Sequence, residues 1–261
     1  MTDKILTEQS GEIARIIFNQ PEKRNAVSLE MWEAVEAAAT RFAADDSVRI
    51  LILSGAGGKA FVSGADVSKF ESERASAEAV AHYNATTKRV YDLIEAFPKP
   101  TIAQIDGFCV GGGVALALSC DLRICGENSQ FAIPAAKLGL GYGFEGINRL
   151  VNVVGPSFAK EIFFTARRFT ADEARIMGLV NRVVPAEEVA KTAQETAEMI
   201  AANAPMTVAS VKYIVGQTLA DESKRDLAEC AARVTACFDS ADYIEGRRAF
   251  LEKRKPNFVG K

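Results

Sequence analysis

Three consecutive glycines, Gly111 to Gly113, follow a short apolar segment and open the run Val114-Ala115-Leu116-Ala117-Leu118. The whole stretch, KPTIAQIDGFCVGGGVALALSCD from Lys99 to Asp121, reads as a strand (Thr101 to Ile105), a turn at Asp106-Gly107, and a short buried helix. Such a junction places unbonded backbone N–H groups at a helix start. Because glycine has no Cβ, a ligand atom can approach that backbone to hydrogen-bonding distance, and the helix dipole adds partial positive charge there. An anionic oxygen would be stabilised at this point. The plainer alternative is that the glycines allow close packing of strand against helix.

The remaining composition narrows the chemistry further. The single histidine, His82, falls in a polar helical stretch and reads as an exposed bystander, so neither zinc ligation nor a Ser-His-Asp arrangement is supported and no metal is expected. Five cysteines (Cys109, Cys120, Cys125, Cys230, Cys237) form no CxxC and sit mostly in apolar context, which suits reduced core residues in a cytoplasmic protein. A formal net charge of −3, with both signs mixed along the chain, leaves no electrostatic footprint for nucleic acid or an anionic membrane. The first residues, MTDKILTEQSGEIARI, contain no apolar run of signal-peptide length. A soluble protein is expected. With 261 residues, 48% of them hydrophobic, the chain can build one large or two modest cores.

The elements that must position the glycines read off in order. Ile5 to Gln9 and Ile13 to Phe18 form a hairpin, the turn NQPEKRNAVS follows, and Ser28 caps a helix to about Asp45. Ile50 to Leu53 is a buried strand, followed by SGAGGKAFVSGADVSKF, a glycine-rich loop that ends as a new helix begins. Helix is expected from Ala75 to about Phe97, strand from Leu122 to Cys125, and a glycine-rich loop from Phe131 to Gly146. Further helices are expected over Ile147 to Val154, Pro156 to Phe163 and Ala171 to Met177, the last capped by Thr170. The tail reads as helix over Ala186 to Ala202, Pro205 to Gln217, Leu219 to Phe238 and Ala241 to Leu251. The composition shift near residue 200 divides an α/β unit (1–200) from a helical one (201–261).

Taken together, FVSGAD (Phe61 to Asp66) and GFCVGGGVALALSCD (Gly107 to Asp121) resemble the enoyl-CoA hydratase/isomerase family, the crotonase superfamily. The similarity extends to NQPEKRNAVS, to FFTARRFTADEARIMGLVNRVVP and to FLEKRKPNF, in the family's order over nearly the whole chain. The resemblance implies a spiral of ββα units with a C-terminal helical trimerisation module, assembled as a homotrimer or a dimer of trimers. It implies an acyl-CoA thioester as substrate, with coenzyme A part of that substrate and no other cofactor. The thioester carbonyl would lie between the backbone N–H groups of Ala65 and Gly112, an arrangement that stabilises the oxygen of a developing enolate. Ser63, Gly64 and Val67 flank Ala65 and Asp66 along the bound thioester, and Gly111 precedes Gly112 there. Asp66 itself reads better as a helix-start residue than as a catalytic one. A bulky residue at Gly112 would be expected to block the approach of the ligand. Lys23 and Arg24 would lie near the adenosine and phosphate end of the CoA, while Phe250 and Lys253 match positions that reach a neighbouring subunit's CoA.

The chain also departs from that family. Its hydratases carry two pocket glutamates, because adding H and OH across a double bond calls for acid–base control at both ends. Both matching positions are alanine here, Ala115 and Ala135. In the loop GLGYGFEG, Glu145 remains as either a proton-transfer carboxylate or a first-turn helix residue. Tyr142 is set similarly to a tyrosine of the methylmalonyl-CoA decarboxylase branch, where loss of CO2 gives the enolate without a base, or it is loop packing. That branch has a histidine where this chain has Ala65. The expected activity is therefore lyase or isomerase chemistry through a thioester enolate. Decarboxylation of a malonyl-type acyl-CoA and a non-catalytic CoA-thioester-binding oligomer are the alternatives.

Overall fold

The computed structural model describes residues 2–69, 73 and 75–261. Its first unit is the expected hairpin, β1 (Ile5–Ser10) paired antiparallel with β2 (Ile13–Phe18), and then α1 (Leu29–Ala44), whose N-cap Ser28 side chain accepts from the Met31 amide. Three ββα units follow. They are β3 (Ile50–Gly55), β4 (Ala60–Val62) and α2 (Ala77–Glu95); β5 (Thr101–Ile105), β6 (Phe108–Val110) and α3 (Gly112–Ser119); and β7 (Leu122–Gly126), β8 (Gln130–Ala132) and α4 (Phe144–Thr165). Each unit sends its first strand to one sheet and its second to another. The larger sheet has the order β1-β2-β3-β5-β7-β10, ending on β10 (Arg182–Val184), and the smaller runs β4-β6-β8-β9, ending on β9 (Phe169–Thr170). Within both sheets the successive units pair in parallel, which winds the chain into a spiral.

Alternation along the strands explains why β3 and β5 read as continuous apolar runs. Leu51, Leu53, Ala103 and Ile105 face the main core with Phe18, Trp32 and Phe61, whereas Ile50, Ile52 and Ile102 face a second cluster with Ala193 and Ala197. Those alanines belong to α6 (Val189–Ala201), which covers the far face of the sheet. A strand buried on both sides shows no polar alternation. Between β9 and β10 lies α5 (Ala171–Ile176), with a full capping box from Thr170 and Glu173.

Beyond β10 the described residues hold only helix: α6, α7 (Pro205–Leu219), α8 (Leu227–Asp239) and α9 (Ala241–Glu252), with 3-10 turns. One expectation needs correction. The single helix expected over Leu219 to Phe238 is broken, because α7 stops at Leu219 and the Asp226 side chain starts α8 afresh by accepting from the Glu229 amide. The two helices expected on either side of Gly155 are both present within α4, parted by a kink where Gly155 leaves helical geometry at φ +75°. The 3-10 turn Val67–Lys69 follows SGAD, and the onward helix start at Phe70 lies outside the described residues.

Candidate functional site

Two glycine turns abut where β4 and β6 end. Gly64 has φ +107° and Gly111 φ +55°, both in the region that only glycine enters without strain, and a Cβ on Gly111 would lie 4.0 Å from the Gly64 Cα. Their sequence successors are Ala65 and Gly112. Ala65 forms a parallel bridge to Val27 in which the Val27 amide donates to the Gly64 carbonyl (2.8 Å) and the Asp66 amide donates to the Val27 carbonyl (2.9 Å). The Ala65 amide takes no part in it. Gly111 donates to the Ala132 carbonyl (2.8 Å), and Val114 and Ala115 donate to the Gly111 carbonyl, so the first amide of α3 without an acceptor is that of Gly112. Among the described residues neither the Ala65 nor the Gly112 N–H has a hydrogen-bond acceptor.

The three glycines have separate duties. Gly111 makes the turn; a Cβ on Gly113 would sit 2.2 Å from the Val62 carbonyl oxygen, so α3 packs on β4 only without a side chain there. Close packing and donor exposure are thus both built into the same stretch. A Cβ on Gly112 would meet the Tyr91 hydroxyl at 3.1 Å and Trp32 at 3.7 Å. A side chain at Gly112 would therefore also press on an aromatic cluster. In that cluster the Tyr91 hydroxyl donates to the Gly112 carbonyl (3.3 Å), Trp32 meets Tyr91 edge-on (5.4 Å), and Trp32 Nε1 donates to the Tyr83 hydroxyl (3.2 Å). These rings carry no functional signal in the sequence, where Trp32 reads simply as a core residue at helical spacing.

Lys23, Ser63 and Asp66 gather beside these turns. Lys23 Nζ donates to Asp66 Oδ2 (2.9 Å) and to the Ser68 hydroxyl (2.8 Å), and the Ser63 hydroxyl donates to the Lys23 carbonyl (3.4 Å). Asp66 is buried, and burial alone would raise its pKa; the Lys23 and Ser68 hydrogen bonds outweigh that and hold it at about 2. Its side chain thus closes a turn. Arg24, at φ 52°, lays its guanidinium over the Phe108 ring at 4.9 Å and has no carboxylate partner among the described residues. Val67 is exposed.

Ala115 and Ala135 are both buried, on the first turn of α3 and in the 3-10 turn Pro134–Leu138. Tyr142 is half-buried, edge-on to Phe163 at 4.8 Å, and its hydroxyl has no hydrogen-bond partner among the described residues. Burial pushes the phenols of Tyr142 and, further, Tyr91 upward, with Tyr142 among the groups adding to Tyr91's shift. Glu145 is exposed and opens on a small polar pocket of about 170 Å³ shared with Asp92, Glu95, Asn148 and Arg149, none of which belongs to the glycine turns. Arg149 is buried there, donating through Nε to Glu95 (3.1 Å) and through Nη2 to Asp92 (3.4 Å). Phe250 and Lys253 stand apart from this site. They lie at the end of α9, and Phe250 borders an apolar groove of about 790 Å³ lined wholly by residues between Ala204 and Phe258. Among the described residues no three His, Cys, Asp or Glu side chains gather to hold a metal, and no helix is long and apolar enough to cross a membrane.

Comparison with known proteins agrees with this architecture. The family model described as enoyl-CoA hydratase/isomerase matches residues 8–261. The chain is 36% identical over 259 residues to a crotonyl-CoA hydratase of Syntrophomonas wolfei, covering 99% of each chain. It is 35% identical to a short-chain-enoyl-CoA hydratase of Clostridium acetobutylicum, covering 97% of this chain and 96% of that one. A crystal structure of an enoyl-CoA hydratase/carnithine racemase from Magnetospirillum magneticum superposes with a TM-score of 0.93 at 36% identity, over 100% of this chain and 97% of the other. From its glycine turns to its winding of ββα units, the chain belongs to the enoyl-CoA hydratase/isomerase family, with the crotonase fold, and is an enzyme of that family.

Proposed function

We propose that this enzyme binds an acyl-CoA thioester with its carbonyl oxygen between the amides of Ala65 and Gly112, and works through the enolate that forms there. The observation that carries this reading is that both amides lack acceptors on two abutting glycine turns. As charge moves onto the oxygen, two fixed donors and the α3 N-terminus are already oriented toward negative charge. A single such donor is worth about 100-fold to 1000-fold in rate. The names of the relatives point to short-chain enoyl-CoA substrates. With methyl groups at Ala115 and Ala135, lyase or isomerase chemistry must draw its proton handling from Glu145 or Tyr142.

A second reading has its own support. A phenol raised by burial, with an unengaged hydroxyl, is a proton donor rather than a base, and Tyr142 is such a group. Decarboxylation of a malonyl-type acyl-CoA generates the enolate by loss of CO2 and then needs only a donor. Arg24, lacking a carboxylate partner, suits the CoA phosphates better than Lys23, which is engaged by Asp66. Three buried thiols fit the reducing cytoplasm. The reaction is tested by following crotonyl-CoA, a 3-enoyl-CoA and methylmalonyl-CoA at the thioester absorbance and by mass. Hydration or a double-bond shift supports the first reading and CO2 release the second; CoA-thioester binding with no turnover of any of the three would leave a non-catalytic oligomer.

A further inference from the structure

We infer that Arg123 is a positioning residue for the oxyanion helix: a buried cation on the C-terminal carbonyls of α3 that helps the opposite end of that helix hold an enolate. The inference rests on the enolate reading above. Arg123 lies on β7 with 7% of its surface exposed. Its Nη1 donates to the carbonyls of Ala117 (3.3 Å) and Cys120 (2.6 Å), the last turn and C-cap of α3, and its Nε donates to the Leu179 carbonyl (2.8 Å). Its backbone is pinned too, because its amide donates to Asn181 Oδ1 (2.8 Å) and its carbonyl accepts from the Asn181 amide (2.9 Å). Among the described residues no carboxylate binds the guanidinium. Asp121, two residues away, is paired with Lys212 at 2.7 Å and accepts from Thr101, so these three charged groups leave one net positive charge at this end of the helix.

Burying a cation without a counter-ion is unfavourable, and an apolar side chain would fill the same space without that penalty. The helix offers a physical reason for it. The C-terminal carbonyls are the negative end of α3, and a cation bound to them offsets that end, leaving the positive end at Gly112 to act on the substrate oxygen. Eight residues of rise plus the reach of the guanidinium put the charge about 15 Å from that oxygen. At an effective dielectric constant of about 20, one unit charge at that range changes the rate of a step forming a full negative charge by about sixfold.

The test uses butyryl-CoA labelled with 13C at the thioester carbonyl, bound to the whole enzyme and read by difference infrared spectroscopy, alongside turnover of the substrate found active. In the wild type the bound carbonyl band should lie below its position in water. Arg123→Lys, which keeps the charge, should preserve the shift, whereas Arg123→Gln should lose part of it and lower kcat about sixfold with KM changed less than about twofold. Asn181→Ala, which loosens the same strand without removing charge, should lower the melting temperature and leave the band in place. An unchanged band and kcat in Arg123→Gln, or equal losses in Arg123→Lys or Asn181→Ala, would overturn the inference. If Arg123→Gln does not fold, Arg123→Met, which removes the charge and fills the space, takes its place under the same two criteria. A wild-type band with no downshift would instead remove the enolate reading itself.

Discussion

At the scale of single residues, the proposed mechanism separates main-chain donors from the side chains that would choose the reaction. The amides of Ala65 and Gly112 carry no side-chain chemistry, so variants at Tyr142 and Glu145 are the informative ones. Tyr142→Phe removes the half-buried hydroxyl while keeping the ring on Phe163, and is expected to lower kcat by about 100-fold if that phenol delivers the proton. Glu145→Gln, beside Arg149 and away from the glycine turns, is expected to lower kcat less than tenfold on the same scale, with CoA affinity retained in both. Steady-state kinetics with the active thioester checks the order; a larger loss in Glu145→Gln would move the proton transfer to the carboxylate. Asp66 makes a stability prediction instead. Its folded pKa of about 2 lies below the ordinary carboxylate value near ~3.9, so its contribution is complete above about pH 5 and disappears as pH falls through 2. Asp66→Asn should lose about 2 kcal/mol at neutral pH, read from urea midpoints, and the gap to wild type should close between about pH 4 and pH 2.

At the scale of elements, α3 is held from both ends. Gly113 lets its first turn sit against Val62, and Arg123 binds its last carbonyls. Gly113→Ala would drive a methyl to 2.2 Å from the Val62 oxygen, within backbone that has little room to move, and should cost about 1–3 kcal/mol. Thermal melts would show this as a fall of several degrees. Gly112→Ala should be milder in the same assay, since its methyl meets the end of the Tyr91 side chain at 3.1 Å. A helix or strand long enough to show its period is legible in the sequence: β2, α1, β3, β5 and α7 all start within a residue of expectation. The smaller sheet was not seen. Its strands β4, β6, β8 and β9 have two or three residues each, too few to display alternation, and exist because the neighbouring units supply their pairing partners.

At the scale of the whole molecule, the C-terminal helices carry an apolar surface that the rest of this chain does not cover. Phe250 is 84% exposed and Leu251 79%, with Phe238, Ile244 and Val215 also open. The module is nonetheless anchored to the α/β unit: Arg49 donates to the carbonyls of Phe258 (2.6 Å) and Ala201 (2.9 Å), and Lys212 pairs with Asp121 (2.7 Å). An anchored apolar face of this kind favours association with further copies of the chain. We therefore expect a trimer, or two trimers together, by sedimentation, with Phe250 and Lys253 offered to a neighbour's CoA. Phe250→Asp should shift the mass toward the monomer and weaken CoA binding, while a monomeric wild type would remove Phe250 and Lys253 from the binding site.

The sequence by itself determined the strands β1, β2, β3, β5 and β7, the helical character of the tail, and the glycine-rich stretches that carry the family resemblance. These follow from local periodicity and from residue types that act through their own backbone. Only the tertiary structure decided that Gly64 and Gly111, 47 residues apart in the chain, abut. It likewise placed Tyr91 on the Gly112 carbonyl, set Glu145 on a pocket it shares with Arg149, and put a buried arginine on the C-terminal carbonyls of α3. Such relations depend on which strands pair and which helix ends meet, and no window along the chain contains both partners.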